Sequence, residues 1–131
     1  MDGYCSRSVA DTEQYGGRLA RLLRPGDTVW LYGDLGAGKT ALVRGLARGL
    51  GITERVTSPT YAIVNVYKGF VHYDAYRLDG FDDLLGAGWD EYAGGLRVVE
   101  WAQRAGEVSG VCVIITALNE NERDISLCFL P

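Results

Sequence analysis

A glycine-rich segment between an apolar run and a helical pattern is the strongest constraint on the fold of this chain. Residues 33–40 read Gly-Asp-Leu-Gly-Ala-Gly-Lys-Thr, which is a glycine, four residues and then Gly-Lys-Thr. Residues 29–32 are typical of a buried strand and residues 41–50 of a helix, which is the context that a phosphate-binding loop requires. Its glycines allow successive backbone N–H groups to turn toward a phosphate, and the helix N-terminus adds positive charge. The sequence therefore predicts a protein that binds a nucleoside triphosphate.

The residues of this loop have distinct expected roles. Lys39 would reach the β- and γ-phosphates, and the Thr40 hydroxyl would hold Mg²⁺. Lys39 and Lys68 are the only lysines of the chain, and a compact ammonium suits phosphate better than a bulky guanidinium. The alternative, a glycine-rich turn that caps an ordinary helix, is disfavoured because the motif and both flanking elements would have to coincide. The residues expected to bind the nucleotide are Asp34, Gly36, Ala37, Gly38, Lys39, Thr40 and Ala41.

Length and composition predict one α/β domain over residues 1–131, with 47% apolar residues available for its core. No apolar run is long enough to cross a membrane, and no secretory signal opens the chain. The three cysteines are widely spaced and there is a single histidine, so a zinc site is not expected and the cysteines are expected to be reduced in a cytoplasmic protein. The net charge of −4 argues against direct nucleic-acid binding as the main activity.

Apolar periodicity predicts a mixed β-sheet flanked by helices. Asp11 followed by Gln14 resembles a capping box, which indicates a first helix that extends to about Leu23. Gly16 and Gly17 weaken that helix, and they either mark a close approach to another backbone or are simply tolerated. Strand patterns occupy residues 29–32, 61–67, 70–74, 96–99, 111–117 and 124–130, and short helical patterns occupy residues 81–85 and 89–92.

Two carboxylates end apolar strand patterns and are candidate partners of a bound nucleotide. Glu100 follows an apolar strand, and open α/β sheets bind their ligands at the C-terminal ends of strands. In P-loop enzymes an acidic residue there helps the loop Thr or Ser to hold Mg²⁺, so Glu100 is a candidate metal ligand. Asp74 ends the second strand of a hairpin, where it could orient the attacking water or support the metal through water. We expect Lys39, Asp74 and Glu100 to form the catalytic group.

Four further features accompany these carboxylates. His72 is the only histidine, and a lone histidine on a strand is more often a hydrogen-bonded packing residue than a catalyst. Arg77 either pairs with Asp74, which is the default interpretation, or reaches a phosphate. Trp101 either packs against the nucleotide or locks the end of the strand. Ser58-Pro59-Thr60 is a candidate switch loop, because a loop in this position can sense the γ-phosphate and proline stiffens it.

Four motifs occur in a fixed order along the chain. They comprise residues 31–40, 57–61 (Thr-Ser-Pro-Thr-Tyr), 72–78 (His-Tyr-Asp-Ala-Tyr-Arg-Leu) and 99–101 (Val-Glu-Trp). Together they resemble the TsaE family, small bacterial P-loop ATPases that serve tRNA threonylcarbamoyladenosine modification. The similarity covers nearly the whole chain and is far more specific than the loop alone. The chain departs from the family's common residues at Ala41, Ala75 and Ala102-Gln103, and none of these departures removes a phosphate or metal ligand.

The resemblance implies a single-domain P-loop NTPase fold and Mg²⁺-dependent hydrolysis of ATP to ADP. It implies action on a complex of two partner proteins, TsaB and TsaD, which modifies adenosine 37 of tRNA, so that tRNA is met only indirectly. Hydrolysis would reset that complex between rounds. By motif position, Thr40 and Glu100 would hold Mg²⁺, and Asp74 would serve hydrolysis. Trp101 and, more weakly, Thr12 would lie near the nucleotide.

Two other functions are compatible with the same loop. A small-molecule kinase would pass the γ-phosphoryl group to a hydroxyl, but it needs an acceptor pocket and usually a lid, for which 131 residues leave little room. A non-hydrolysing switch would only signal that nucleotide is bound, but Asp74 and Glu100 are more carboxylates than binding needs. An ATPase is favoured, with slow turnover alone and faster turnover with partners, because the motifs encode no arginine finger.

Overall fold

The strands form one sheet with helices packed on it in the computed structural model, which describes residues 3–34, 36–54, 56, 63–104 and 109–130. The strands are β1 (Gly3–Ser6), β2 (Thr28–Tyr32), β3 (Val64–Tyr67), β4 (Phe70–Asp74), β5 (Leu96–Glu100), β6 (Gly110–Ala117) and β7 (Arg123–Leu130). The α-helices are α1 (Val9–Ala20), α2 (Lys39–Gly49) and α3 (Phe81–Gly86), and 3₁₀ turns cover Asp90–Tyr92 and Ala102–Arg104. Over these described ranges, no helix has the length and hydropathy needed to span a bilayer.

The sheet has the strand order β1-β7-β6-β2-β5-β4-β3. Its four central strands, β6, β2, β5 and β4, run parallel to one another, whereas β1, β7 and β3 pair antiparallel at the edges. Parallel strands are buried on both faces, which explains the continuous apolar runs at residues 29–32 and 111–117. The prediction of a mixed sheet flanked by helices, with the P-loop NTPase fold, is confirmed. Because the parallel strands end at the same edge, the residues that follow β2, β4 and β5 meet there.

The two faces of the sheet carry different side chains, because alternate residues of a strand point to opposite faces. The face covered by α1 and α2 is mainly aliphatic, and its fully buried members include Val29, Leu31, Leu42, Val43, Leu46, Val98 and Val113. The opposite face is aromatic. Trp30 stacks on Trp89 with ring centroids 5.4 Å apart, and Phe81 meets Trp89 edge-on at 5.5 Å. The short helix α3 and the turn after it pack on this face, and large rings supply much of its burial.

Helices α1 and α2 touch backbone to backbone at glycines. A Cβ at Gly45 would overlap the carbonyl oxygen of Glu13, and a Cβ at Gly16 would lie 2.8 Å from the amide nitrogen of Leu46. Real Cβ atoms do not approach backbone this closely, so neither position accepts a side chain without separating the helices. Gly16 therefore marks a close approach. At Gly17 a Cβ would make only an ordinary 3.6 Å contact, so tolerance is sufficient there.

The first helix starts earlier and ends earlier than the sequence pattern predicts. Ser8 is its N-cap, and the Ser8 hydroxyl accepts a hydrogen bond from the Asp11 amide at 3.0 Å. The Asp11 carboxylate in turn accepts one from the Arg7 amide at 3.0 Å. Asp11 thus belongs to the first turn, so its assignment as the opening residue of a capping box with Gln14 is wrong. The helix ends at Ala20 rather than near Leu23.

Three other elements differ from the sequence patterns. Strand β1 is not predicted, because it is four residues long and is defined by its pairing with the distant β7. The helical pattern at residues 89–92 is a 3₁₀ turn over Asp90–Tyr92. The strand pattern at residues 61–67 is observed over Val64–Tyr67, and residues 61 and 62 lie outside the described part of the chain.

Candidate functional site

The C-terminal ends of three parallel strands bring the predicted site residues to one edge of the sheet. The glycine-rich loop leaves β2, Asp74 is the last residue of β4, and Glu100 is the last residue of β5. In the strand register, Glu100 pairs with Leu31 on one side and with Asp74 on the other. Alternation places Asp74 and Glu100 on the aliphatic face of the sheet, where α2 packs. Glu100 therefore stands beside the strand that enters the loop, and Asp74 lies one strand further along the same edge of the sheet.

The loop adopts a backbone that requires glycine at two positions. Gly36 has φ +79° and Gly38 has φ +105°, and an L residue with a side chain is strained in either conformation. The Ala37 amide donates to the Asp34 carbonyl at 3.0 Å, and the Leu42 amide donates to the Gly38 carbonyl at 3.1 Å, which closes the first turn of α2. Helix α2 thus begins directly from a left-handed glycine, with no acidic residue in its first turn. Such a start leaves the positive end of the helix for an anion.

Lys39, the first residue of α2, is buried at the centre of the site. Its Nζ donates to the Gly33 carbonyl at 2.5 Å and lies 3.5 Å from the centroid of the Trp101 ring. Burial lowers the pKa of the Lys39 ammonium, and the carboxylate of Glu100, followed by those of Asp74 and Asp34, raises it in opposition. The ammonium is therefore held by one backbone carbonyl and an aromatic ring, with three carboxylates near enough to raise its pKa. A phosphate group would replace those partners with charge-assisted hydrogen bonds.

Trp101 connects the end of β5 to the lysine. It is the one non-glycine residue with positive φ in the described chain, at +57°. Its ring packs on Tyr76 at 4.9 Å as well as on the Lys39 ammonium. The Glu100 carbonyl accepts the Ala75 amide at 3.0 Å, which ties the exit of β5 to the segment after β4. The turn with positive φ therefore directs the indole toward the Lys39 ammonium and the Tyr76 ring, while the end of β5 is held by the backbone hydrogen bond from Ala75. A nucleotide contact by Trp101 stays a prediction.

Glu100 is almost completely buried, at 4% exposure, and pairs with the fully buried His72. The distance between Glu100 Oε2 and His72 Nε2 is 2.5 Å. A buried carboxylate is costly unless it is hydrogen-bonded, and this contact satisfies one of its two oxygens. His72 is thus a hydrogen-bonded residue, as the sequence favours, but its partner is the candidate metal ligand.

Asp74 is half-buried and forms a local turn. Its Oδ1 accepts a hydrogen bond from the Tyr76 amide at 3.0 Å, an Asx arrangement that fixes the carboxylate at the end of β4. Arg77 is exposed and forms no ion pair with Asp74, although both residues are described, so the default interpretation of Arg77 is wrong. Asp74 therefore remains available to a ligand at the strand end.

Sequence reasoning missed Arg123, which reaches the loop from the other side. Its Nη2 donates to the Gly36 carbonyl at 3.2 Å, and its Nη1 donates to the carbonyls of Asn119 and Glu122 at 2.6 and 3.0 Å. The guanidinium thus joins the β6–β7 turn to the glycine loop. The sequence shows only that Arg123 follows the turn at residues 119–122 and begins a strand pattern. Its contact with the loop arises because β6, which precedes this turn, lies next to β2.

Three predicted site residues need a separate account. The Thr12 hydroxyl is buried and lies 2.7 Å from the Ser6 hydroxyl, so it is committed to the start of α1, and its contact with adenine stays a prediction. Ala41 is the third residue of α2, where its backbone follows Thr40. The candidate switch loop, Ser58-Pro59-Thr60, lies outside the described residues.

The residues present fit a magnesium nucleotide. Thr40 and Glu100 offer the oxygen ligands that Mg²⁺ prefers, and Mg²⁺ commonly takes its remaining ligands from phosphates and water. Consistent with that, no cluster of three or more His, Cys, Asp and Glu able to hold a metal by itself exists among the described residues. The space above Gly36 is open, with no atom within 4 Å of the position of a Cβ. The loop, the lysine and the oxygen donors therefore suit phosphates and a divalent cation together.

The sheet order and the loop between β2 and α2 define a single-domain α/β protein with the P-loop NTPase fold. The family model described as "Threonylcarbamoyl adenosine biosynthesis protein TsaE" matches residues 6–125. The chain belongs to the TsaE family, as its motifs predicted.

Individual relatives agree with this assignment. The Treponema pallidum protein named "tRNA threonylcarbamoyladenosine biosynthesis protein TsaE" is 42% identical over 130 residues, which is 93% of this chain and 96% of that protein. A Bacillus subtilis protein of the same name is 40% identical over 116 residues, covering 82% of this chain and 72% of that protein. Among solved structures, the crystal structure of Bacillus subtilis YdiB superposes with a TM-score of 0.81 at 29% identity. The superposition covers 99% of this chain and 86% of the YdiB chain.

Proposed function

We propose that this protein is a Mg²⁺-dependent ATPase that supports threonylcarbamoyl modification of adenosine 37 in tRNA by acting on a complex of TsaB and TsaD. Membership of the TsaE family supports the pathway. The meeting of Lys39, Asp74 and Glu100 at one strand edge is the observation that carries the chemistry. These groups match what hydrolysis of a nucleoside triphosphate needs: a cation for the phosphates, a carboxylate for a metal and a second carboxylate for water.

Binding would be the work of the loop and of Lys39. The ammonium would move from the Gly33 carbonyl and the Trp101 ring to the β- and γ-phosphates. The backbone N–H groups at the N-terminus of α2 would donate hydrogen bonds to the same phosphates. Thr40 and Glu100 would hold Mg²⁺, which supplies neutralisation of the phosphate charge when it is bound. These interactions would bring the γ-phosphate to the sheet edge that carries Asp74.

Asp74 would handle the proton of the attacking water. Its Oδ1 is held by the Tyr76 amide, so Oδ2 is the oxygen that would accept that proton. The water oxygen bonds to the γ-phosphorus, the bond from the γ-phosphorus to the bridging oxygen breaks, and ADP and phosphate are the products. Fixing one carboxylate oxygen reduces the reorganisation that the step requires.

The structure supports slow turnover by the isolated chain. Arg123 is the described arginine that touches the loop, and its guanidinium is engaged by the carbonyls of Gly36, Asn119 and Glu122. An arginine finger speeds phosphoryl transfer by several powers of ten, and the hydrogen bonds of Arg123 keep its guanidinium from that role, which supports a low basal rate. The net charge of −4 also fits a protein that leaves the grip on tRNA to its partners.

The direct test is ATP hydrolysis by the purified chain in Mg²⁺ buffer, alone and with the TsaB–TsaD pair. We expect a low basal rate, stimulation by the pair, and loss of both in Lys39→Ala. Fast turnover alone with no response to the pair would contradict the proposal and would favour a free-standing phosphotransferase.

A second variant separates hydrolysis from binding. Asp74→Asn keeps the size and one acceptor oxygen but cannot take a proton at neutral pH. We expect it to bind ATP with near-normal affinity and to lose hydrolysis by at least about 100-fold. Unchanged hydrolysis in this variant would remove Asp74 from the mechanism.

A further inference from the structure

The only histidine of the chain is buried against the candidate metal ligand. His72 lies on β4 with no exposed surface, and its Nε2 is 2.5 Å from Oε2 of Glu100. A carboxylate that is to bind a cation must be ionised and can then only accept hydrogen bonds, so that role requires the hydrogen of this contact to lie on Nε2. In that arrangement the imidazole is a donor to one oxygen of Glu100.

Packing alone does not require an imidazole at this position. The other ring nitrogen, Nδ1, is buried and has no hydrogen-bond partner in the described part of the chain. A buried polar atom without a partner costs free energy that an aliphatic side chain of similar size would avoid. The neighbours on this face, Phe70 and Val98, would accept such a side chain. The contact with Glu100 is the one polar interaction of the ring that offsets this cost.

The strand register sets the direction of the contact. His72 pairs with Val98, two residues before Glu100, and all three share the face of the sheet on which α2 packs. The ring therefore extends from the interior of the sheet toward the end of β5, where its Nε2 contacts Oε2 of Glu100. Oε1 is then the oxygen that would bind a cation at the loop.

We propose that His72 is a positioning residue that restricts Glu100 to binding a divalent cation through one oxygen, and that it thereby favours Mg²⁺ or Mn²⁺ over Ca²⁺. The proposal rests on the proposed function, since it takes Thr40 and Glu100 as the cation's protein ligands. Mg²⁺ demands a near-octahedral shell, to which a fixed one-oxygen carboxylate is suited. Ca²⁺ accepts larger, irregular shells and often takes both oxygens of a carboxylate. A hydrogen bond that withholds Oε2 penalises the second arrangement more than the first.

Two amide variants of the same polarity test this directly. The side-chain nitrogen of His72→Gln reaches about as far as the histidine Nε2, whereas that of His72→Asn stops near the position of Nδ1. The affinities of the ADP-loaded protein for Mg²⁺ and for Ca²⁺ are measured by calorimetric titration of each metal. We expect the Asn variant to lose about tenfold or more in Mg²⁺ affinity and less in Ca²⁺ affinity. We expect the Gln variant to keep the wild-type ratio.

Phe70→Leu is the matched control for lost packing. Phe70 is buried on the same strand and the same face, and its ring stacks on that of His72 with centroids 6.4 Å apart, but it has no polar group that could bond Glu100. Its replacement should lower stability and leave the Mg²⁺ to Ca²⁺ ratio unchanged. An equal fall of the ratio in Phe70→Leu and His72→Asn would overturn the proposal, because softening of the strand would then explain both.

A measurement on the wild-type protein covers the case in which the Asn variant does not fold. Because there is one imidazole, its two ¹⁵N signals identify the tautomer without assignment. We expect hydrogen on Nε2, and a shift of that signal when Mg²⁺ joins the ADP complex. Hydrogen on Nδ1 alone would overturn the proposal.

Failure of this proposal is distinguishable from failure of the proposed function. A protein that binds Mg²⁺ with ADP but whose Asn variant keeps the wild-type ratio overturns only the role of His72. If the nucleotide affinity of the wild-type protein does not change when divalent cations are added, both the role of His72 and the proposed function are overturned.

Discussion

The two long helices of this protein begin in opposite ways, although they pack against each other and have nearly equal lengths of 12 and 11 residues. The start of helix α1 is capped from within the chain: the Ser8 hydroxyl accepts the Asp11 amide, and the Asp11 carboxylate accepts the Arg7 amide. Helix α2 starts from Gly38, which has no side chain to offer, and it carries the buried Lys39 where α1 carries an acid. The N-terminus of α1 has a side-chain cap and an acidic residue in its first turn. The N-terminus of α2 has neither, so no side chain of its first turn offsets the positive charge there. The comparison teaches that α1 is built for stability, whereas the start of α2 lacks such a cap, as the proposed binding of phosphate requires.

The contact between the two helices is where the largest effect is expected. In Gly45→Ala the new Cβ would overlap the Glu13 carbonyl, and backbone on both sides leaves no easy relaxation. We expect the free energy of unfolding to fall by about 3 kcal/mol, measured by urea denaturation. Gly86→Ala is the control, because a Cβ there meets no atom within 4 Å. Similar losses in both variants would show that the helix contact is not the cause.

Removing the buried charge should separate binding from stability. Lys39→Met is expected to weaken ADP binding by about 100-fold, or about 2.7 kcal/mol, because charge-assisted hydrogen bonds to phosphate are lost. The nucleotide-free protein should be as stable as the wild type or more stable, because an ammonium no longer has to be buried. Lys68→Met, which changes the chain's other and exposed lysine, should alter neither quantity. Calorimetry with ADP and denaturation without it decide the matter.

The backbone at the start of α2 is the next target. Gly38→Ala places a side chain at φ +105°, with Ile115 Cδ1 3.2 Å from the new Cβ. We expect a loss of about 2 kcal/mol in stability together with weaker ADP binding. Gly94→Ala provides the comparison, since its Cβ meets open space. A normal ADP affinity in Gly38→Ala would mean that the loop binds phosphate in another conformation.

The cap of α1 should give the smallest effect. Ser8→Ala removes the side-chain acceptor of the Asp11 amide, which costs about 1 kcal/mol at a helix N-terminus. ADP affinity should be unchanged in the same preparation. A fall in ADP affinity would indicate that the N-termini of α1 and α2 are coupled, which contradicts separate roles for α1 in stability and for α2 in binding.

The sequence predicted most of the sheet because its central strands are buried on both faces and leave continuous apolar runs. The sequence pointed to Lys39 and Thr40 as candidate site residues through the loop motif. It pointed to Asp74 and Glu100 because each ends a strand, and the ends of parallel strands meet at one edge of the sheet. It did not predict β1, which is recognisable only by its pairing with β7. The start of α1 was misplaced because two acceptors, Ser8 and Asp11, compete as caps in the sequence, and only the backbone conformation of Ser8 decides between them.

The contacts that shape the site were beyond prediction for a different reason. The approach of Arg123 to Gly36 and that of His72 to Glu100 span 87 and 28 residues of sequence. Both depend on which strands are neighbours, and single-sequence patterns do not encode strand order. The default pairing of Arg77 with Asp74 failed because the Asp74 carboxylate bonds the Tyr76 amide in a local turn, and proximity in sequence did not bring the two side chains together.

The indole of Trp101 gives the protein an optical reporter of its own. Trp30 and Trp89 are buried and stacked on each other, whereas Trp101 is partly exposed and carries the Lys39 ammonium 3.5 Å from its ring centroid. A positive charge at that distance acts on the excited state of the ring, so its emission depends on where the lysine is. Phosphate that draws the ammonium away would change the fluorescence of one tryptophan in three, and no added label would be required.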